Sequence, residues 1–215
     1  MIAALIPAAG DGMRLGQGPK ALLEVAGKTL LERAVAAFLG QVAEVVVAVS
    51  ASMIPRATRL LAGQARLIEG GATRQQSVMN LLMATDAELV LIHDAARPFL
   101  SRDVVTRVIG AVEAYGAASA VMPVADTLIE AASGRALDRS LLRAVQTPQG
   151  FRRTLILEAH RQALAAGVVA TDDAGLVRWL GQPVALVAGS PWLMKITTPD
   201  DLVMAQALAE AWDGT

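Results

Sequence analysis

The chain has 215 residues, of which 54% are hydrophobic and 18% charged, with a formal net charge of -1 and no cysteine. This length suffices for one buried core, so we expect a single domain over residues 1–215. The lack of cysteine excludes disulfides, zinc thiolate sites and cysteine nucleophiles, and the balanced charge without a basic tail argues against nucleic acid as a main partner.

The sequence carries no recognisable membrane or export signal. No apolar run approaches the roughly 18 residues that a membrane-spanning helix needs. The chain enters directly into "MIAALIP", without a basic leader, an extended apolar segment or a small-residue cleavage site. We therefore expect a soluble, cytoplasmic protein that does not act at a membrane.

Continuous apolar runs alternate with amphipathic stretches along the chain. The runs predict strands buried on both faces, at 2–7, 43–50, 65–70, 88–94, 118–124 and 183–189. Helices are predicted to begin after side chains that can accept a bond from a free helix N–H, namely Thr29, Thr73, Ser101 and Thr198. At Thr198, Pro199 suits the first helical position and Asp201 completes a capping box. This alternation predicts an α/β fold with a mostly parallel sheet and helices on both faces.

Residues 126–150 interrupt the alternation. Two strand-like pieces, "TLIEA" and "SLLRAVQ", flank a loop with Ser133 and Gly134, which is a hairpin pattern. Because an isolated hairpin is marginally stable, it either folds back on its own sheet or projects and packs on a two-fold partner. We predict the projecting arm, and with it a homodimer.

In an open parallel sheet, ligands bind beyond the carboxyl ends of the strands. The stretch "LIPAAGDGMRLGQGPKALL", which follows the first strand, is a glycine-rich loop with Arg14 and Lys20. A Walker loop would need a hydroxyl after the lysine, and a dinucleotide loop would need a third glycine where Leu15 stands. The loop therefore indicates a phosphate grip formed by backbone N–H groups and two cations. The alternative is two solvated cations on a flexible loop.

Further candidates follow the later strands. Asp94 either caps a turn or belongs to a site, and Arg97 either pairs with it or binds a phosphate monoester. Lys195 could be an ordinary surface lysine. Asp172 and Asp173 are expected to cap the next helix, because adjacent carboxylates point apart and suit a shared metal poorly.

The two histidines of the chain have structural interpretations. His93 is interpreted as the end of a buried strand and His160 as a helix-surface residue. Neither has a serine or cysteine arranged around it for nucleophilic catalysis.

Several stretches together resemble the 2-C-methyl-D-erythritol 4-phosphate cytidylyltransferase family: "PAAGDGMRLGQGPKALLEVAGKTLLERAV", "GGATRQQSV", "HDAARPF", "DTL", "QTPQGF", "TDDAG" and "KITTPDDL". The likeness covers nearly the whole chain. It implies a Rossmann-like nucleotidyltransferase fold and a homodimer joined through the arm. It also implies Mg²⁺-dependent transfer of CMP from CTP to 2-C-methyl-D-erythritol 4-phosphate in the non-mevalonate isoprenoid pathway, with release of pyrophosphate.

The resemblance also implies roles for individual residues. The catalytic cations would be Arg14, Lys20 and Lys195. The nucleotide would be held by Ala8, Ala9, Gly10, Gly12, Gly71, Ser77 and Ala95. The acceptor would be held by Asp94, Arg97, Thr127, Arg153 and Thr171. Mg²⁺ would bind mostly through the CTP phosphates, near Asp94.

Three other functions stay open at this point. A cytidylyltransferase acting on ribitol 5-phosphate is similar along the whole chain, although Ala96 in "HDAARP" favours methylerythritol. Uridylyl- and guanylyltransferases share the opening loop but lack the arm and the "GGATRQQSV" pattern. A catalytically silent nucleotide-binding scaffold is the third, which retention of four charged candidates opposes.

Overall fold

The computed structural model describes residues 1–10 and 18–214, and strands and helices alternate through most of this length. The strands are β1 Ile2–Pro7, β2 Glu24–Val25, β3 Lys28–Thr29, β4 Glu44–Val49, β5 Arg66–Glu69, β6 Leu89–Ile92, β7 Ala117–Pro123, β8 Arg143–Arg152 and β9 Ala185–Ala188. The helices are α1 Leu30–Ala36, α2 Ile54–Leu61, α3 Arg74–Met83, α4 Arg102–Tyr115, α5 Arg153–Ala165, α6 Asp173–Trp179 and α7 Pro199–Asp213.

Seven strands form one sheet in the order β5-β4-β1-β6-β8-β7-β9. The pairs β5–β4, β4–β1, β1–β6 and β7–β9 are parallel, whereas β8 runs antiparallel to both of its neighbours. A separate antiparallel pair, β2 with β3, lies outside this sheet. The predicted α/β fold with a mostly parallel sheet is confirmed, and each predicted strand lies within two residues of its expected bounds.

The prediction for residues 126–150 is partly wrong. The turn at Ser133 and Gly134 exists, and one antiparallel bridge joins Ile129 to Ala136. The piece "SLLRAVQ", however, leads into β8, which fills the gap between β6 and β7 in the main sheet. Pairing with two strands under a covered face is more stable than pairing in a lone hairpin, so this piece leaves the arm. The exposed arm is therefore confined to about residues 126–142.

Helices cover both faces of the sheet because alternate residues of the strands point to opposite sides. In β1, Ala4 and Ile6 belong to a core with α1, α2 and α4. Ala3 and Leu5 belong to a second core with α3, α5 and α6. A smaller cluster joins β2 to α7 around Phe99. The sheet is thus buried in the middle, and its carboxyl edge is left for ligands.

The predicted helix starts are confirmed. Thr29 and Thr198 each form a capping box with the acidic residue three positions later, and the Thr73 hydroxyl accepts from the Gln76 N–H at 3.1 Å. Ser101 occupies the cap of α4 without a side-chain cap bond. Among the described helices, none has the length and apolar character needed to cross a membrane.

Candidate active site

A cavity of about 230 Å³ opens at the carboxyl edge of the sheet, where β1, β5 and β6 end. It is called the first cavity below. The end of β1 and the residues after it contribute Pro7 to Gly10, the loop before α3 and its first turn contribute Gly71 to Arg74 and Ser77, and the loop after β6 contributes Asp94 to Ala96. Lys20 and Lys195 complete the lining with positive charge.

Close backbone approach explains the small residues around this cavity. A Cβ built on Gly70 would lie 2.4 Å from the Ala9 Cβ and 3.0 Å from the Ser77 Oγ, so only glycine fits there. The Ser77 hydroxyl accepts from the Gly71 N–H at 3.0 Å and lies 3.0 Å from the Thr73 carbonyl, to which it donates. The loop after β5 is thereby tied to the first turn of α3.

Asp94 lies between two cations. Its Oδ1 accepts from Arg74 Nε at 3.1 Å, and its Oδ2 accepts from Lys195 Nζ at 2.7 Å. Burial by itself would raise the pKa of Asp94, but Arg74 and Lys195 outweigh burial and hold the pKa well below its usual range. Asp94 is therefore a carboxylate at every physiological pH, and it links Arg74 to Lys195.

Arg74 reaches a second, deeper carboxylate. Its Nη2 donates to Asp173 Oδ2 at 2.8 Å, and the other oxygen of Asp173 lies 3.2 Å from His160 Nε2. Burial by itself would raise the pKa of Asp173, but Arg74 and His160 lower it below its usual value.

Asp172 alone caps α6, through the Gly175 N–H at 3.0 Å. The prediction that both aspartates cap the helix is therefore wrong for Asp173, whose side chain turns into the core. His160 is buried rather than on the helix surface.

The buried side chain of His93 holds the loop after β6 in place through hydrogen bonds to Arg97 and Thr147. His93 Nε2 donates to the Arg97 carbonyl at 3.0 Å, because a carbonyl oxygen can only accept. The other nitrogen of the neutral ring, Nδ1, therefore accepts from the Thr147 hydroxyl at 3.0 Å, and Thr147 Oγ1 in turn accepts from the Asp94 N–H at 3.1 Å. Burial lowers the pKa of His93 to about 4, which keeps the ring neutral as this arrangement requires. His93 is thus a structural residue of the site.

A second cavity, of about 490 Å³, shares Arg74, Asp94 and Lys195 with the first. Its other walls come from β8 and from the loop before α6, including Thr147 and Thr171. Two cavities with three charged residues in common can hold two reacting molecules side by side, with cations between them.

Sequence and structure comparisons agree on one family. A sequence profile described as 2-C-methyl-D-erythritol 4-phosphate cytidylyltransferase (IspD) matches residues 2–211. A protein of that name from Deinococcus radiodurans is 55% identical over 216 residues, which span 99% of this chain and 91% of that protein. The chain belongs to this family.

Solved structures of relatives have the same fold. The crystal structure of the 2-C-methyl-D-erythritol 4-phosphate cytidylyltransferase from Thermus thermophilus is 48% identical, with a TM-score of 0.84 over 97% of this chain and 98% of that one. The crystal structure of 4-diphosphocytidyl-2C-methyl-D-erythritolsynthase from Anaerococcus prevotii is 28% identical, with a TM-score of 0.87 over 98% of this chain and 96% of that one.

Most of the site residues predicted for this cytidylyltransferase family member meet at the two cavities. The first cavity is lined by Ala8, Ala9, Gly10, Lys20, Gly71, Ser77, Asp94, Ala95 and Lys195. The second is lined by Arg97 and Thr171 as well as by Asp94 and Lys195. Gly12 and Arg14 lie outside the described residues.

Arg97 does not form an ion pair with Asp94 in the described network. Its Nη1 donates to the Leu193 carbonyl at 2.5 Å and its Nη2 to the Val145 carbonyl at 3.3 Å. These bonds join the loop after β6 to β8 and to the segment before Lys195.

Two predicted acceptor residues do not reach the cavities of their own chain. Thr127 is exposed on the arm. Arg153 follows β8 at the edge where β6 begins, because its N–H donates to the Glu88 carbonyl at 2.9 Å. Its guanidinium donates to the Leu82 carbonyl at 3.0 Å. The strand β6 separates Arg153 from Asp94 within one chain, so the role of Arg153 at the acceptor stays a prediction.

The sequence places Arg74 at the ligand-binding edge, after the third predicted strand of the main sheet, but it does not indicate that Arg74 bridges two carboxylates. Two further groups that shape the site are not expected from the sequence: the buried carboxylate of Asp173 and the hydroxyl of Thr147. The position of Thr147 depends on β8 joining the main sheet.

The described residues offer little to a metal ion on their own. Within residues 1–10 and 18–214, no group of three or more histidine or acidic side chains is placed to hold a metal. Asp94 lines both cavities, and each of its oxygens keeps a second lone pair beside its bond to a cation. This set fits an ion bound mainly by ligand phosphates, with one carboxylate alongside, and it does not fit a metal centre made by the protein alone.

Proposed function

We propose that this chain transfers CMP from CTP to 2-C-methyl-D-erythritol 4-phosphate, which releases pyrophosphate and forms 4-diphosphocytidyl-2-C-methyl-D-erythritol in the non-mevalonate isoprenoid pathway. The observation that carries the proposal is that two cavities share the Arg74–Asp94–Lys195 group in a chain of this family. One cavity would hold the nucleotide and the other the acceptor.

The first cavity suits the nucleotide. Ala8 to Gly10 and Gly71 offer backbone groups with little side chain in the way, so a flat base can approach them closely. Ser77 and Ala95 also line this cavity, and Gly12, which lies outside the described residues, is proposed to bind the nucleotide with them. Lys20, at the start of a short 3-10 turn, and Arg14 would neutralise the triphosphate.

The second cavity suits the acceptor, with Asp94 and Thr171 as partners for hydroxyl groups and Arg97 ordering the wall. A phosphate oxygen of the acceptor would attack the α-phosphorus of CTP; the new P–O bond forms as the bond to the β-phosphate oxygen breaks, and pyrophosphate takes that electron pair. The attacking oxygen is already ionised near neutral pH, so no general base is needed. Lys195 would neutralise charge that accumulates at the α-phosphorus.

Mg²⁺ is the proposed cofactor, held by the triphosphate oxygens with Asp94 as the neighbouring carboxylate. When bound, it would neutralise phosphate charge and help orient the leaving group. The lone pairs left on Asp94 and the lack of a protein-only metal centre among the described residues support this arrangement.

We further infer a homodimer joined through the arm, in which Thr127 of one subunit reaches the acceptor site of its partner. The support is the exposure of Leu128, Ile129 and Leu141, which the described part of their own chain leaves uncovered. A cytoplasmic location follows from the proposed use of CTP.

The decisive experiment measures pyrophosphate release with Mg²⁺, crossing CTP, UTP, ATP and GTP against methylerythritol 4-phosphate and ribitol 5-phosphate. We expect release with CTP and methylerythritol 4-phosphate alone. Release with ribitol 5-phosphate instead would keep the chemistry and overturn the pathway. Binding of CTP without turnover on either acceptor would favour a silent nucleotide-binding scaffold.

A further inference from the structure

Asp173 is a buried carboxylate that the proposed reaction does not use. Its side chain is 1% exposed, and both of its oxygens are bonded within the fold, to Arg74 and His160. It lines neither cavity, so we expect no substrate to touch it. Burying a carboxylate is costly unless it is paired, and the two partners offset that cost. What remains to be explained is why a charge lies at this position.

The answer lies in the shape of Arg74. A guanidinium is a rigid planar fork, so holding one of its nitrogens fixes the direction of the others. Asp173 holds Nη2 at 2.8 Å, which directs Nε to Asp94 Oδ1 at 3.1 Å. Asp94 is then turned so that its Oδ2 meets Lys195 Nζ at 2.7 Å. The chain of contacts therefore runs from the core to the lysine between the cavities.

We propose that Asp173 is a positioning residue, which holds Arg74 so that Asp94 and Lys195 face the junction of the two cavities. The inference rests on the proposed function, since it assigns a purpose to that junction. Arg74 pairs with two carboxylates, those of Asp173 and Asp94. If Asp173 carried no charge, Arg74 would pair with Asp94 alone and would draw Asp94 away from Lys195. A shift of about 1 Å in a reacting geometry can cost roughly a hundredfold in rate.

The first test is Asp173→Asn, which keeps the size of the side chain and removes its charge. An asparagine oxygen can still accept from Arg74 if its amide donates to the other tautomer of His160, but the bond to the guanidinium then lacks the negative charge that strengthens it. We expect kcat to fall at least about tenfold while the dissociation constant of CTP stays within about threefold. Wild-type kcat in this variant would overturn the inference.

A matched control is Asp213→Asn. Asp213 also pairs with an arginine in the core, Arg33, at 2.8 Å, but it lies at the end of α7 and lines neither cavity of the site. This variant should lose stability and keep kcat. If it lost kcat as strongly as Asp173→Asn, loss of a carboxylate–arginine pair anywhere would explain both results, and the inference would be wrong.

A double-mutant comparison separates positioning from general support of the fold. If Asp173 acts through Arg74, adding Asp173→Asn to Arg74→Gln should change kcat less than about twofold, and independent losses that multiply would refute this.

Should Asp173→Asn fail to fold, Arg74→Lys is the second variant, because the Arg74 side chain is 34% exposed and lysine keeps the charge without the fork. It should show the same fall in kcat; wild-type kcat would overturn the inference. A wild-type chain inactive with every substrate pair would refute the proposed function, and the inference with it.

Discussion

At Gly70, two loops that frame the first cavity come closer together than a side chain allows. The Cβ of an alanine would lie 2.4 Å from the Ala9 Cβ, well inside van der Waals contact. The Ala9 Cβ and the Ser77 Oγ belong to short side chains held close to the backbone, so neither can swing away as the end of a long side chain could. One of the loops would therefore have to move, and residues of both loops line the first cavity, which is the proposed nucleotide site.

We predict that Gly70→Ala weakens CTP binding at least about tenfold, or roughly 1.4 kcal/mol, and destabilises the fold by about 1 to 3 kcal/mol. Calorimetric titration with CTP and urea unfolding measure the two effects. Gly110→Ala is the control, since Gly110 lies exposed in α4 with nothing within 4 Å of the added carbon. That variant should gain up to about 1 kcal/mol of stability and bind CTP normally. Unchanged CTP affinity in Gly70→Ala would contradict the close-approach argument.

The two described lysines of the site are predicted to act in the transition state. Lys20→Ala and Lys195→Ala should each lower kcat at least about a hundredfold, because each removes charge that compensates the transferring phosphoryl group. Steady-state pyrophosphate release measures this, and circular dichroism checks that the fold is kept. Lys28→Ala is the control, since Lys28 is exposed on β3 away from both cavities. Near-wild-type turnover in both site variants would refute the mechanism.

At the scale of elements, the start of α7 holds Lys195 within reach of Asp94. The Asp201 carboxylate accepts from the Thr197 N–H at 2.7 Å, the Thr197 hydroxyl at 2.7 Å and the Thr198 N–H at 2.8 Å. Bonds to the Thr197 hydroxyl and then to the backbone lower the pKa of Asp201 to about 2. The capping box therefore stabilises the helix and also the segment that leads out of the site.

We predict that Asp201→Ala lowers the free energy of unfolding by about 1 kcal/mol at neutral pH. Because the pKa of Asp201 is lower in the folded chain, its contribution is present above the unfolded pKa of 3.8 and is lost as the pH falls through the folded value of about 2. Urea unfolding at successively lower pH should show the difference from wild type shrinking. Asp200→Ala, in the same first turn, should show a smaller loss. A difference that grew towards acid pH would contradict this account.

At the scale of the whole molecule, the arm presents apolar side chains that residues 1–10 and 18–214 of its own chain leave uncovered. Ile129 is 61% exposed and Leu141 is 81% exposed. Large apolar side chains grouped on one exposed segment are typical of an interface between subunits. The arm is also the part of the chain that carries Thr127, so assembly and the proposed acceptor site are linked.

We predict that replacing Ile129 and Leu141 together by serine converts a dimer to a monomer at micromolar concentration. Two such side chains at an interface contribute about 2 to 4 kcal/mol to association. Sedimentation velocity measures the change. Leu164→Ser is the control, because Leu164 is 73% exposed on α5, outside the arm, and should leave the assembly unchanged. A wild-type chain that sediments as a monomer would refute the proposed dimer.

The sequence by itself determined the features that local physics encodes. Apolar runs marked the strands because both faces of the sheet are covered, and Thr29, Thr73 and Thr198 marked helix starts because a cap and its N–H partner lie within three residues. The order of these elements implied the sheet and its ligand-binding edge. The motifs identified the family by resemblance, and they predicted most of the residues that line the two cavities.

Only the tertiary structure decided which distant segments meet. β8 joins the main sheet because two neighbouring strands and a covered face stabilise it more than a lone hairpin does, and that choice brings Thr147 to Asp94 and takes Arg153 away. The pair of Arg74 and Asp173 joins residues 99 positions apart. No local pattern distinguishes Asp173 from its neighbour Asp172, because the direction of each carboxylate depends on the packing of α6 against the core.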